Sequence, residues 1–338
     1  MILNVLIHRL KDIIHSPKLD PYKSEQFSEL LPIYQQMNLE QWHGDGLLIG
    51  GNMSVCQDRT RTLPHYLKMS GWEPLPEFKD FNKSFKTVSL EAAKDIVAQA
   101  NGGPIGVSWS GGLDSTGALF SLLEYADPKQ ITVFCNYNSI VESGALFDKH
   151  IKSRGVNYSL TTPLQDPTFG DGLIVTGYLG DQLFGKLQAL RSEQYTQSWR
   201  DNLRPDQVPL IEQILENYPV KNIEFMPDFL KFVEMNFKWQ MGKWNRMRNM
   251  PKSIADRMIN FYETPDFQRW SMSNIEPQYL SSEPKTYKLP IRRMLKEMIN
   301  ADEYPMNKIV QTSHYHILQH DWVMMLEDGT NLYVKDFI

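Results

Sequence analysis

Ile105-Gly106-Val107-Ser108-Trp109 runs into Ser110-Gly111-Gly112-Leu113-Asp114-Ser115-Thr116, and Gly117-Ala118-Leu119-Phe120-Ser121-Leu122-Leu123 follows with the character of a helix. A strand, a glycine turn and a helix start bring backbone N–H groups and hydroxyls around a phosphate-sized anion. Gly111 and Gly112 let the main chain approach that anion, while Ser110, Ser115 and Thr116 add hydroxyl donors. Asp114 is placed to hold a magnesium ion against it, and Ser108 and Leu113 complete the stretch expected to bind nucleotide. The loop is not a Walker A sequence, because no lysine follows the second glycine and the spacing differs.

Outward from this turn, strand and helix signals alternate from Pro104 to about Leu190. Strands are expected at Ile105–Ser108, Ile131–Asn136, Val156–Leu160 and Leu173–Thr176, with helices over 115–125 and 142–153. Such alternation predicts an α/β fold, a parallel sheet with helices on both faces and ligands at the carboxyl ends of its strands. A helix beginning around Ser89 precedes the sheet, and a soft boundary falls near Asn82 to Val88. Residues 1–88 then form a small α+β region, with a hairpin built from Gly46–Gly51 and a run around Val55. Residues 89–338 form the main domain, with the sheet core at about 100–190 and a mainly helical part from 191. That part closes on a second hairpin turning at Asp328-Gly329.

With 338 residues the chain can bury a sizeable core, and a net charge of -5 gives no overall pull toward nucleic acid or an anionic membrane. Small-molecule chemistry is favoured. Cys56 and Cys135 are the two cysteines, too few for a disulfide framework or a four-thiolate zinc site, and a reducing cytoplasm fits. The opening run Met1 to Ile7 is too short to span a membrane, meets His8, Arg9 and Lys11, and reads as a docked amphipathic helix.

A second motif, Thr176-Gly177-Tyr178-Leu179-Gly180-Asp181-Gln182-Leu183-Phe184-Gly185, follows its own strand, so a parallel sheet should set it beside the first turn. Asp114 and Asp181 then become a pair of carboxylates able to share magnesium, with Gly177 and Tyr178 near the nucleotide.

The first turn resembles the PP-loop of the ATP pyrophosphatases, and with the second motif the chain resembles the synthetase domain of asparagine synthetases and β-lactam synthetase. In those proteins the second segment reads Ser-Gly-Glu-Gly-Ala-Asp-Glu-Leu-Phe-Gly-Gly. Gly177, Asp181, Leu183, Phe184 and Gly185 match it, whereas Tyr178 and Gln182 stand where the family has glutamates. Phe261–Phe267 looks like the family's Pro-Phe-Leu-Asp segment, and Lys285–Arg292 like its Lys-x-x-Leu-Arg segment. Lys288 takes the place of the family lysine that contacts the phosphates and the reacting carbonyl, with Lys285 the rival if the register slips.

The resemblance covers roughly residues 89–310. It implies an adenine nucleotide alpha hydrolase-like fold and an ATP-dependent ligase. Such a ligase splits Mg-ATP into AMP and pyrophosphate, activating a small carboxylate as an acyl-adenylate for attack by ammonia or an amine. Asp114, Asp181 and Lys288 would carry the chemistry. No counterpart of the cysteine-headed glutaminase domain of glutamine-dependent relatives is expected, since Ile2 follows Met1. Free ammonia, an amine or a separate ammonia-supplying partner is therefore expected.

Two alternatives remain open: PP-loop chemistry on a tRNA or DNA nucleobase, and ATP binding without turnover. The first has as support a strip in which Lys238, Lys243, Arg246, Arg248 and Lys252 interleave with Trp239 and Trp244, although a solvated helix face is the commoner outcome. His316 and His320 are one helical turn apart without an obvious third zinc ligand, and Cys135 reads as an inert strand residue.

Overall fold

The computed structural model describes residues 48–49, 53–55, 58–63, 73–78, 80–163, 165–166, 169–185, 192–203, 205–239, 252–273, 288–299, 321–325 and 331–333. Two short strands, β1 (Leu48–Ile49) and β2 (Met53–Val55), pair antiparallel as the expected first hairpin. Helix α1 (Phe85–Ala100) starts one turn before Ser89. Ser84 is the residue that caps it, accepting the Thr87 N–H at 3.1 Å, while the buried Ser89 hydroxyl donates to the Phe85 carbonyl one turn back. Asn101, in the left-handed region at φ +46°, ends it.

Next come β3 (Ile105–Ser108), α2 (Leu113–Leu123), β4 (Ile131–Phe134), α3 (Tyr137–Leu146), β5 (Asn157–Ser159), β6 (Leu173–Thr176) and the one-turn α4 (Gly180–Leu183). After α3 the chain continues through a π turn, Phe147–Ile151. Helices α5 (Val208–Asn217), α6 (Met226–Val233) and α7 (Lys252–Ala255) lead to β7 (Met258–Asn260), and α8 (Pro265–Ser273) and α9 (Leu289–Ile299) follow. The last described strands, β8 (Asp321–Met325) and β9 (Asn331–Tyr333), form the second expected hairpin.

Five strands make one all-parallel sheet in the order β5-β4-β3-β6-β7. The predicted strands therefore pair as the alternation implied, and β7 is an addition from a stretch that reads as helical. The chain runs outward from β3 to β5 on one side and then crosses back to β6, so the direction reverses between β3 and β6. In an open α/β sheet that reversal leaves a crevice at the carboxyl ends of the two strands.

Strand alternation divides the burial. Ile105, Val107, Ile131, Val133 and Val175 enter the large core shared with α1, α2 and α9, where Phe85 meets Phe184, Phe267 and Trp270 at ring distances of 4.8–5.9 Å. The opposite face is covered by Phe169 and by Ile254 of α7, which pack on Phe134 and Ile174. Gly106 lies on that face because a Cβ there would sit 2.7 Å from both the Phe134 and Phe169 rings.

Two features tie distant segments together. Residues β1-β2-β8-β9 form a second sheet in which β2 pairs parallel with β8, joining strands from the two ends of the described chain. The buried Arg59 donates to the carbonyls of Met235 and Pro74 and to Gln268 Oε1, at 2.8–3.0 Å, and Asp58 accepts from Asn236. Burial lowers the Arg59 guanidinium to about 10, and these bonds offset its desolvation.

Candidate functional site

At the end of β3 the Trp109 N–H donates to the Phe134 carbonyl at 2.8 Å, which carries the chain past the sheet edge before it turns. Gly111 makes that turn at φ +78°, where a Cβ would also stand 2.6 Å from the Ser139 carbonyl oxygen. Gly112 enters α2 in an extended conformation, and no side chain caps this N-terminus. The Ser115 hydroxyl accepts the Ser110 N–H at 3.1 Å and lies 3.1 Å from the Ser110 hydroxyl, which itself accepts the Gly112 N–H at 3.2 Å. Ser110 is exposed at the rim, Ser108, Gly112 and Asp114 are half-buried, and Ser143 donates to the Gly111 carbonyl at 2.8 Å from behind.

Leu113 and Thr116 belong to the same turn but face the interior. Leu113 packs in the main core, and the fully buried Thr116 hydroxyl accepts the Trp109 indole N–H at 3.0 Å. Thr116 therefore anchors the loop from below, while the exposed Ser110 and the buried Ser115 behind it carry the other hydroxyls of the turn.

The second motif leaves β6 in the adjacent register, Ser108 opposite Thr176 and Thr176 opposite Asn260. Tyr178 N–H donates to the Thr176 hydroxyl at 3.2 Å, Thr176 donates to Asn260 Oδ1 at 2.9 Å, and Asn260 donates to Glu263 Oε2 at 3.0 Å. This relay fixes the exit of β6 to the exit of β7. Asn260 carries no sequence signal of its own, and Glu263 is marked only as part of the Phe261–Phe267 stretch.

Two glycines seat the second turn on the first. A Cβ at Gly177 would stand 2.5 Å from the Ser115 nitrogen and 2.7 Å from its Cα, and one at Gly180 would press on the Asp114 carboxylate, 2.5 Å from Oδ1. Leu179, between them, is buried and takes the left-handed conformation at φ +72°. Asp181 thus emerges in the first turn of α4 beside Asp114.

Lys288 closes the constellation. It precedes α9 at φ +51°, is 3% exposed, and its ammonium pairs with Asp114 Oδ2 and with Asp181 Oδ1, the latter at 2.6 Å. Three residues widely separated in the chain therefore meet at one point, and their formal charges sum to minus one. Tyr262 supports them from the core, its hydroxyl donating to the Asp114 carbonyl at 2.9 Å. Burial first, and the Asp114 charge second, push that phenol well above its ordinary range, against the opposing Lys288 charge, so it stays a donor.

The donor set suits magnesium. Asp114 and Asp181 bring hard carboxylate oxygens from two elements, the kind of donor magnesium takes from a protein when phosphates and water complete its shell, and among the described residues no group of three or more His, Cys, Asp or Glu gathers to hold a metal alone.

Other expectations fare differently. Tyr178 is half-buried against the main core and Gln182 is buried. From the basic strip, Lys238 is buried and paired with Glu234 at 3.0 Å, and Trp239 is fully buried, so these two form neither a nucleic-acid face nor a solvated one. Lys243, Trp244, Arg246 and Arg248 lie outside the described residues, as do Lys285, Cys56, His316, His320 and the N-terminal run. Cys135 is buried, its thiol pushed up to about 11 by desolvation. Among the described residues no helix is long and apolar enough to cross a membrane.

Compared with known proteins, the chain matches no protein-family model and no curated protein. What can be said of its chemistry rests on these side chains.

Proposed function

We propose that the chain is an ATP-dependent, amide-forming ligase of the asparagine-synthetase-like type, built on an adenine nucleotide alpha hydrolase-like sheet and working in the cytoplasm. Its substrates are a small carboxylic acid and ammonia or an amine, free or delivered by a partner. The observation that carries this is the meeting of Lys288 with Asp114 and Asp181 over a glycine turn at the crevice between β3 and β6.

In this proposal the loop from Ser110 to Ser115, with the α2 N-terminus, grips the leaving diphosphate through backbone N–H groups and hydroxyls. Asp114 and Asp181 hold magnesium, which supplies charge neutralisation for the phosphates. Lys288 stabilises negative charge developing on the α-phosphate and on the tetrahedral carbon that forms when the amine attacks. Ser108, Gly177 and Tyr178 border the nucleotide, and the Thr176–Asn260–Glu263 relay keeps that border fixed.

The test is pyrophosphate release from ATP across a panel of amino acids and amines. The expected result is AMP and pyrophosphate formed only with one acid and one nitrogen donor, and abolished in Asp114→Ala. ADP and orthophosphate as products would contradict the proposal, and turnover lost in Asp114→Ala excludes a protein that merely binds ATP.

A further inference from the structure

Lys288 sits on one oxygen of each carboxylate in the pair proposed to hold the metal. Its ammonium sits on Asp114 Oδ2 and Asp181 Oδ1 at once, and with 3% exposure it has left bulk water to do so. Its backbone cannot drift away, because the Lys288 carbonyl accepts the Arg292 N–H at 3.2 Å in the first turn of α9. Rotation of the Lys288 side chain releases the two carboxylates without moving that backbone. A divalent cation and an ammonium placed on one pair of carboxylate oxygens repel each other strongly, so occupancy by one excludes the other.

We propose that Lys288 is an internal counter-ion that closes the Asp114–Asp181 pair to divalent cations until a polyphosphate enters the crevice, so that metal and nucleotide bind together and not in sequence. This rests on the ligase proposal for the identity of the polyphosphate. The exchange is electrostatically matched. The lysine that yields two carboxylate oxygens gains phosphate oxygens, and the carboxylates that lose an ammonium gain the metal, so each charge is left with an opposite one. A ligand shifts such an equilibrium only by its different affinity for the two arrangements, and the polyphosphate supplies that difference by offering Lys288 a second seat. The device also keeps a pair of adjacent carboxylates from repelling each other while the site awaits nucleotide.

The experiment titrates the full chain with manganese, read by electron paramagnetic resonance of the free ion. Without nucleotide, Lys288→Met is expected to bind manganese at least ~10-fold more tightly than wild type, because the competing cation is gone, while Lys288→Arg stays at the wild-type level. Equal affinities in wild type and Lys288→Met overturn the proposal. A thermal melt establishes that Lys288→Met is folded. If it is not, wild type alone decides: the chain with a non-hydrolysable ATP analogue should take up manganese at least ~10-fold more tightly than either the chain alone or the analogue alone, and uptake no tighter than theirs overturns the idea. Wild type that takes up no ATP analogue at any manganese concentration refutes the ligase proposal instead, and the comparison of Lys288→Met with wild type still decides the counter-ion role.

Discussion

Gly180→Ala and Gly177→Ala should separate the seating of the catalytic carboxylate from the stability of the fold. At Gly180 the added methyl meets the Asp114 carboxylate, 2.5 Å from Oδ1 and 2.9 Å from Cβ, where ordinary contact begins at 3.4 Å. Relief requires the carboxylate to move by roughly 1 Å, a displacement that can cost ~100-fold when it misplaces a reacting group. The backbone itself accepts alanine, since Gly180 opens α4 and is not among the glycines with positive φ. The methyl also meets Asp114 Cγ and its Cβ, which rotation of the side chain does not move, so some stability is lost, though less than where main-chain atoms are met.

Gly177 is the opposite case, because its methyl meets backbone atoms of Ser115, 2.5 Å from N and 2.7 Å from Cα. The two turns must separate, at a cost of ~1–3 kcal/mol typical of overpacking. Urea melts measure the stabilities, and calorimetry with Mg-ATP measures the site. Gly180→Ala should lose less stability than Gly177→Ala yet bind Mg-ATP ~10- to 100-fold more weakly, whereas Gly177→Ala should show the larger loss of stability. Wild-type nucleotide affinity in Gly180→Ala, or equal destabilisation of the two variants, would refute this account of how the second motif aligns the first.

Other predictions follow from single groups. Tyr262→Phe removes the donor to the Asp114 carbonyl and should destabilise the protein by ~1 kcal/mol in a urea melt, with no change expected if that bond is unimportant. Lys231 is buried on α6 and desolvation lowers its ammonium to about 8 from 10.5. Between those values the unfolded chain binds the proton that the folded one has released, so stability from this group rises with pH across the window and is lost below it. Lys231→Met should remove a slope of up to ~1.4 kcal/mol per pH unit, seen as the difference between the two proteins' urea midpoints at pH 8 and pH 10. Cys135, raised from 9.0 to about 11, should carry ~100-fold less thiolate at pH 8 than an ordinary cysteine, so iodoacetamide labelling followed by peptide mass spectrometry should find it nearly untouched.

Much of the central sheet is legible locally. β3 and β6 are short apolar runs stopped by glycine turns, and both observed strands keep the expected bounds. β7 escapes because three residues, Met258–Asn260, are too few to show a period, and its strand character comes from pairing with β6. The start of α1 was displaced by one turn because both Ser84 and Ser89 have capping chemistry, and only the structure reveals which hydroxyl is already committed to a carbonyl inside the helix.

Turn chemistry and apolar periodicity act over a few residues, and they are enough to specify the glycine-bent turn after β3, the second turn after β6 and the parallel sheet that makes them neighbours. Packing of the folded chain is what turns Thr116 inward and leaves Ser110 at the rim, makes Lys238 and Trp239 interior, and sets Lys288 across Asp114 and Asp181. Those outcomes depend on which surfaces pack together across more than a hundred residues of chain. A side chain's local sequence leaves that choice open, and burial of the whole core makes it.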